Sequence, residues 1–102
     1  MEQQLVLQLP VPTMADYDAV AALEEELGEA LGDEAEVDGH EARRGLMYVF
    51  IWCHDAAETF EAVRPVVDDE LLPELRAGWR HADTDAFEPL WPPGLDAFDV
   101  AL

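Results

Sequence analysis

A chain of 102 residues is long enough to close one hydrophobic core and too short for two, so we expect a single domain over residues 1–102. Its 24 acidic residues outnumber five Arg and give a net charge of −19, which disfavours nucleic acid and anionic membranes as partners. Half of the residues are hydrophobic, which excludes a wholly disordered chain.

The acidity has two interpretations. A solvated, self-repelling surface keeps a protein soluble, and a GC-rich or salt-adapted genome would explain much of this composition. Alternatively, the negative surface binds a basic protein partner. No apolar run is long enough to span a bilayer, and the first four residues, Met-Glu-Gln-Gln, lack the basic start of a secretory signal. We therefore expect a cytoplasmic protein that binds neither membrane nor nucleic acid.

The first third of the chain predicts a strand, a helix and a second strand. Polar and apolar residues alternate over 4–9, which is typical of a strand with one buried face. Thr13 and Asp16 have the spacing of a capping box, so an amphipathic helix is expected from there to Gly32. Acidic and apolar residues then alternate over 34–38, as in an edge strand.

The middle of the chain predicts a hairpin, a second helix and a last main strand. A turn is expected at 41–45, and residues 46–53 are apolar without a break, which indicates a central strand covered on both faces. Asp55 and Glu58 have capping-box spacing at the start of the second helix. Residues 75–80 alternate again and predict the fourth strand.

This order of elements predicts an α+β fold, a ferredoxin-like βαββαβ sandwich. Right-handed crossovers would place the first and third strands at the centre of a four-stranded antiparallel sheet, with both helices on one face. We expect the compact part to span about residues 3–92, and residues 93–102 to form a short C-terminal hairpin or tail. The apolar third strand then falls at a central position, so pattern and topology agree.

Pleating divides the third strand between the two faces of this sheet. Met47, Val49, Ile51 and Cys53 suit the helix-covered core. The aromatic residues between them lie on the open face, beside polar residues of the neighbouring strands. The candidate binding face therefore comprises Tyr48, Phe50, Trp52, Gln8, Asp38, His40, Arg76 and Arg80.

Three aromatic side chains on one strand face are too large to leave in water, so something should cover them. The cover is a second copy of the protein, the C-terminal tail with Phe98 and Val100, or a ligand. A two-fold dimer is the commonest solution, and we predict a homodimer to which the tail contributes.

The sequence carries no catalytic signature. It contains no Ser, no phosphate-binding Gly loop and no metal-binding motif, and Cys53 lies alone in an apolar run. With a turn at 41–45, His40 lies at the hairpin end of the sheet and His54 at the opposite end, too far apart to share a metal ion. We predict no metal and no cofactor, and lean against an enzyme.

Several short motifs resemble, in their order, a family of small bacterial proteins of unassigned function. The matching segments are Glu36-Val37-Asp38-Gly39-His40-Glu41, Gly45, Val49-Phe50-Ile51, Ala77-Gly78-Trp79-Arg80 and Leu90-Trp91-Pro92. The resemblance implies a ferredoxin-like α/β domain and supplies no activity. If the family has functional residues in this motif, the resemblance implies that Asp38 and His40 are their counterparts here. Asp38, Gly39 and His40 could equally form a turn or bulge. Tyr48, Leu46 and Arg43-Arg44 depart from the family pattern.

Two functional hypotheses remain. The first is a non-catalytic interaction or regulatory module that acts on another protein through the open sheet face or the acidic surface. The alternative is a small enzyme or small-molecule binder that uses the aromatic face, with His40 as the acid–base group or Arg80 as the anion-holding group. A concave pocket around Phe50 and Trp52 would favour the ligand hypothesis, and a flat, covered face would favour the module.

Overall fold

Five antiparallel strands and two helices make up the fold of residues 1–100, which are the residues that the computed structural model describes. The elements are β1 (Gln3–Pro10), α1 (Met14–Leu31), β2 (Ala35–Arg43), β3 (Leu46–Cys53), α2 (Ala56–Val63), β4 (Arg76–His81) and β5 (Glu88–Trp91). The strands lie side by side in the order β2-β3-β1-β4-β5. The α+β class predicted from the sequence is therefore confirmed.

The predicted four-stranded sheet is wrong in its number of strands. β2, β3, β1 and β4 lie in the expected order, with β1 and β3 inside, but β5 adds a fifth strand beside β4. β5 exists because the chain turns after β4 and runs back antiparallel, which pairs Trp91 with Ala77 and Glu88 with Trp79. Residues 93–100 follow without regular secondary structure, and the last two residues of the predicted tail lie outside the described residues.

Both predicted helix starts are confirmed. The Thr13 hydroxyl oxygen accepts a hydrogen bond from the Asp16 backbone N–H at 3.2 Å, and the Asp55 carboxylate accepts one from the Glu58 N–H at 3.1 Å. Each bond satisfies an N–H group that has no partner within its helix. α2 ends at Val63, just before Pro65, which cannot donate a backbone hydrogen bond.

The hairpin between β2 and β3 is tighter than the predicted turn at 41–45. β2 continues to Arg43, and only Arg44 and Gly45 separate it from β3. Both residues have positive φ angles, 55° and 78°, as in the two-residue turns that match the twist of paired strands. Gly adopts this backbone at no steric cost, whereas Arg44 does so against its preference.

A cluster of buried apolar side chains packs against each face of the sheet. The larger cluster packs both helices against one face and includes Leu5, Leu27, Val49, Ile51 and Phe60. The smaller cluster lies on the opposite face, where Val6, Tyr48 and Phe98 are buried and other apolar side chains surround them. β3 is thus covered on both sides, as its apolar sequence predicted.

Candidate functional site

The predicted face residues on β3, β1 and β4 lie in three rows across the sheet. Strand register places Trp52 beside Gln4 and Arg80, Phe50 beside Val6 and Gly78, and Tyr48 beside Gln8 and Arg76. Alternate residues of each strand share a face, so these nine positions point away from the helices. We call this surface the open face.

The C-terminal segment covers the centre of the open face. Phe98, only 8% exposed, lies directly over Gly78 and joins Val6 and Tyr48 in the smaller buried cluster. A Cβ atom on residue 78 would clash with Cδ1 of Phe98, because it would lie closer than real Cβ contacts come. Gly78 therefore provides the space in which the Phe98 ring is seated.

Phe87 extends this cover toward one edge. Its ring meets Phe98 edge to face, with centroids 5.7 Å apart. Such edge contacts are favourable beyond the area that they bury. The open face is thus covered in part by protein, while Phe50 and Trp52 remain half-buried at its rim.

Arg80 is engaged within the protein. Its Nε donates to the Gln4 side-chain oxygen at 2.8 Å, and its Nη1 donates to the Thr84 carbonyl at 2.9 Å. The same Nη1 contacts the carbonyl oxygens of His81 and Ala82. Its guanidinium carbon lies 5.6 Å from the Trp52 ring centroid, within cation–π range. Arg80 thus holds the 82–84 turn against the sheet through its Nε and Nη1.

The other predicted face residues are separated along the sheet. Asp38 lies near one end, where its carboxylate accepts a hydrogen bond from Nε1 of Trp52 at 3.3 Å. Gln8 and Arg76 lie two rows away and border a shallow cleft that Leu46 also lines. The structure therefore does not gather Asp38 and Arg76 into one pocket with the aromatic residues.

The predicted placement of His40 on the open face is wrong. The pairing of β2 with β3 shifts between Val37 and Gly39, so His40 lies opposite Val49 of the helix-covered face. A β-bulge adds one residue to a strand and reverses the facing of every residue beyond it. The sequence suggested a bulge at Gly39, but the prediction for His40 assumed that residues alternate between the two faces without interruption along the whole strand.

His40 instead joins two residues of α1. Its Nδ1 is 2.7 Å from Oε2 of Glu24, and its Nε2 is 2.9 Å from the phenolic oxygen of Tyr17. The rings of His40 and Tyr17 meet edge to face, with centroids 5.7 Å apart. Tyr17 and Glu24 are seven residues apart and so share one side of α1, a spacing that could have identified the pair. Sequence reasoning missed both residues because Glu24 fitted the solvated face and Tyr17 the core.

Exposed carboxylates crowd both α1 and the edge strand β2. No Arg or Lys occurs before Arg43, so no cation of this kind lies on either element until the hairpin. The exposed carboxylates that define this α1–β2 acidic surface are Asp18, Glu25, Glu26, Glu29, Asp33, Glu34, Glu36, Asp38 and Glu41. The outer edge of β2 carries no neighbouring strand within the described sheet.

The lone cysteine lies in the helix-covered core. Burial raises the pKa of the Cys53 thiol, because the charged thiolate is poorly solvated there. Its sulfur donates a long hydrogen bond, 3.6 Å, to the Gln3 carbonyl. A thiol in this setting has little nucleophilic character.

Residues 1–100 hold no group of three or more His, Cys, Asp or Glu side chains placed to bind a metal ion. Neither of their two α-helices combines the length and the hydropathy that crossing a bilayer requires.

Comparisons with protein-family models, with curated proteins and with solved structures gave no match. The resemblance drawn from the order of the motifs therefore stays a prediction. The function has to be inferred from the geometry of the chain itself.

Proposed function

We propose that the protein is a non-catalytic interaction module that binds a basic protein partner through the α1–β2 acidic surface. The observation that carries this proposal is the segregation of charge: α1 and β2 present carboxylates without Arg or Lys until the hairpin at Arg43 and Arg44. Surfaces of one sign raise the association rate of partners of opposite sign and exclude like-charged ones.

The open face supports the ligand alternative less well. Its centre is filled by Phe98, and Nε and Nη1 of Arg80 donate to Gln4 and to backbone carbonyls. His40, the acid–base group proposed for a ligand, belongs to the opposite side of the sheet. A small molecule would have to displace the C-terminal segment before it reached the aromatic rings.

A titration with a fluorescent nona-arginine peptide tests the acidic surface. The triple variant Glu25→Gln, Glu29→Gln, Glu36→Gln should weaken binding about tenfold or more, because three exposed carboxylates are removed from α1 and β2. The matched control is Asp68→Asn, Asp69→Asn, Glu70→Gln, which makes the same charge change in the segment after α2. Equal weakening by both triples would mean that total charge, not this surface, governs binding.

The non-catalytic part of the proposal has its own test. A thermal-shift screen of metabolites should find no compound that both stabilises the protein saturably and is turned over. One such compound would refute the claim and restore the enzyme alternative.

We also propose that the protein forms a homodimer through the rim of the open face. Phe50, Trp52 and Phe87 remain half-buried beside the covered centre, and a second copy would complete their burial. At −19 per chain, association has to overcome repulsion, so salt should strengthen the dimer. Sedimentation velocity at low and high salt would show this. A monomer in both conditions, with Trp52 fluorescence protected from a quencher, would leave the C-terminal segment as the whole cover.

Two finer assignments belong with this proposal. The order β2-β3-β1-β4, with both helices packed on one face, supports a ferredoxin-like domain extended by β5. A cytoplasmic location fits a free, buried Cys53.

A further inference from the structure

The hydrogen-bonded chain of Glu24, His40 and Tyr17 has the connectivity of an acid–base–nucleophile triad. A carboxylate contacts one imidazole nitrogen at 2.7 Å, and the other nitrogen contacts a hydroxyl at 2.9 Å. In hydrolytic triads the same arrangement lets the imidazole take the proton of the attacking hydroxyl. Here the hydroxyl is the phenol of Tyr17.

The proton positions follow from the chemistry of the partners. A carboxylate can only accept hydrogen bonds, so Nδ1 of His40 carries a proton and donates a hydrogen bond to Oε2 of Glu24. In a neutral imidazole the Nε2 lone pair then faces the phenol, and the Tyr17 O–H donates to it. The base is thus already aimed at the proton that a nucleophilic Tyr17 would lose.

Tyr17 borders a groove. Tyr17 is half-buried and lines a surface groove between the start of α1 and the β2–β3 hairpin, together with the exposed Met14. Arg43 and Arg44 line the same groove and supply positive charge on a side of the molecule that is otherwise acidic. Such cations favour negative charge that develops on a carbonyl oxygen during attack.

We propose that Tyr17 is a nucleophile that accepts an acyl group from an activated ester. The phenolic oxygen attacks the ester carbonyl carbon, and Nε2 of His40 takes the phenolic proton while Glu24 stabilises the resulting imidazolium. The new bond joins the Tyr17 oxygen to the acyl carbon, and the bond to the leaving aryl oxide breaks. His40 then returns its proton to solvent or to the aryl oxide.

A single acylation is not turnover, so this inference goes beyond the proposed interaction function and does not depend on it. The chain contains two tyrosines, and the second provides an internal control. Tyr48 is 1% exposed within the smaller buried cluster, so a folded protein should not be labelled there.

The test is acylation by p-nitrophenyl acetate, followed by release of p-nitrophenolate and by mass mapping of the labelled peptide. Tyr17 should react about 100-fold faster than N-acetyltyrosinamide, the lower end of the usual gain from a positioned base. His40→Gln should lose that gain, and Glu24→Gln should retain part of it. Glu70→Gln and His54→Gln, matched changes at exposed positions outside the chain of three, should react at the wild-type rate.

Circular dichroism and thermal melts identify variants that fail to fold, and Glu24→Gln provides a second measurement if His40→Gln does. Acylation of Tyr17 at the rate of the free amide would overturn the proposal. So would a label on His40 instead of Tyr17, or a folded His40→Gln variant that reacts as fast as the wild type. A label on His40 would make the imidazole the nucleophile, and either of the other two results would leave the three residues as a tie between α1 and β2.

Discussion

Both faces of the sheet are buried at the centre, but the segments that cover the two faces differ greatly in length. The 18-residue helix α1 and the shorter α2 cover one face through a broad set of aliphatic contacts. The opposite face depends on residues 93–100, which have no regular secondary structure and among which Phe98 is the one buried side chain. Cover by helices is cooperative with the whole fold, whereas cover by an irregular segment can open locally at lower cost.

The largest effect is expected on the helix-covered face. Leu27→Ala removes a fully buried side chain from α1 and should lower the free energy of unfolding by about 2–5 kcal/mol. Urea denaturation measures this change. Met14→Ala, a comparable truncation at a position 74% exposed on the same helix, should change stability little. Equal losses from both variants would show that α1 does not close the core through Leu27.

The covered part of the open face should respond less strongly. Phe98→Ala should lower the free energy of unfolding by about 1.5–3 kcal/mol and make Trp52 fluorescence easier to quench. Gly78→Ala should give a similar loss, because its new Cβ displaces the Phe98 ring. Since both changes disrupt the same contact between Phe98 and Gly78, the double variant should lose little more stability than either single variant. Additive losses would contradict the contact, and Asp96→Ala is the exposed control in the same segment.

A pH-dependent difference should distinguish the helix-covered face. Burial raises the pKa of the Cys53 thiol, so above about pH 8.5 the unfolded chain loses the thiol proton while the folded protein keeps it. The unfolded state then binds fewer protons, and the free energy of unfolding should fall with pH by up to about 1.4 kcal/mol per unit. Cys53→Ala should lack this slope between pH 8.5 and 9.5, below the titration of tyrosine. Parallel slopes in both proteins would assign the decline to other groups.

The smallest effect is expected at the hairpin, where Arg44 and Gly45 are exposed. Arg44→Asn should raise the free energy of unfolding by about 0.5–1 kcal/mol, because Asn tolerates the positive φ of 55° better than Arg does. Arg43→Asn makes the same charge change in β2 and should not stabilise the protein. If the two variants behave alike, the backbone angle at residue 44 is not the cause.

The sequence by itself determined the local elements and the central position of β3. Alternation, capping-box spacing and an unbroken apolar run each report on a few neighbouring residues, and those signals predicted four strands, two helix starts and an aromatic face. β5 was not predicted as a strand of the sheet because Glu88–Trp91 is short and contains a proline. Its pairing also depends on the return of the chain along β4.

The tertiary structure alone decided what each face does. One bulged residue beside Gly39 moved His40 from the predicted open face to α1, where it meets Tyr17 and Glu24. The Phe98 ring can pack on the sheet because Gly78, twenty residues earlier in the chain, has no side chain. Periodicity reports which residues share a face only while the register is regular, and it carries no information on which distant segment fills a gap.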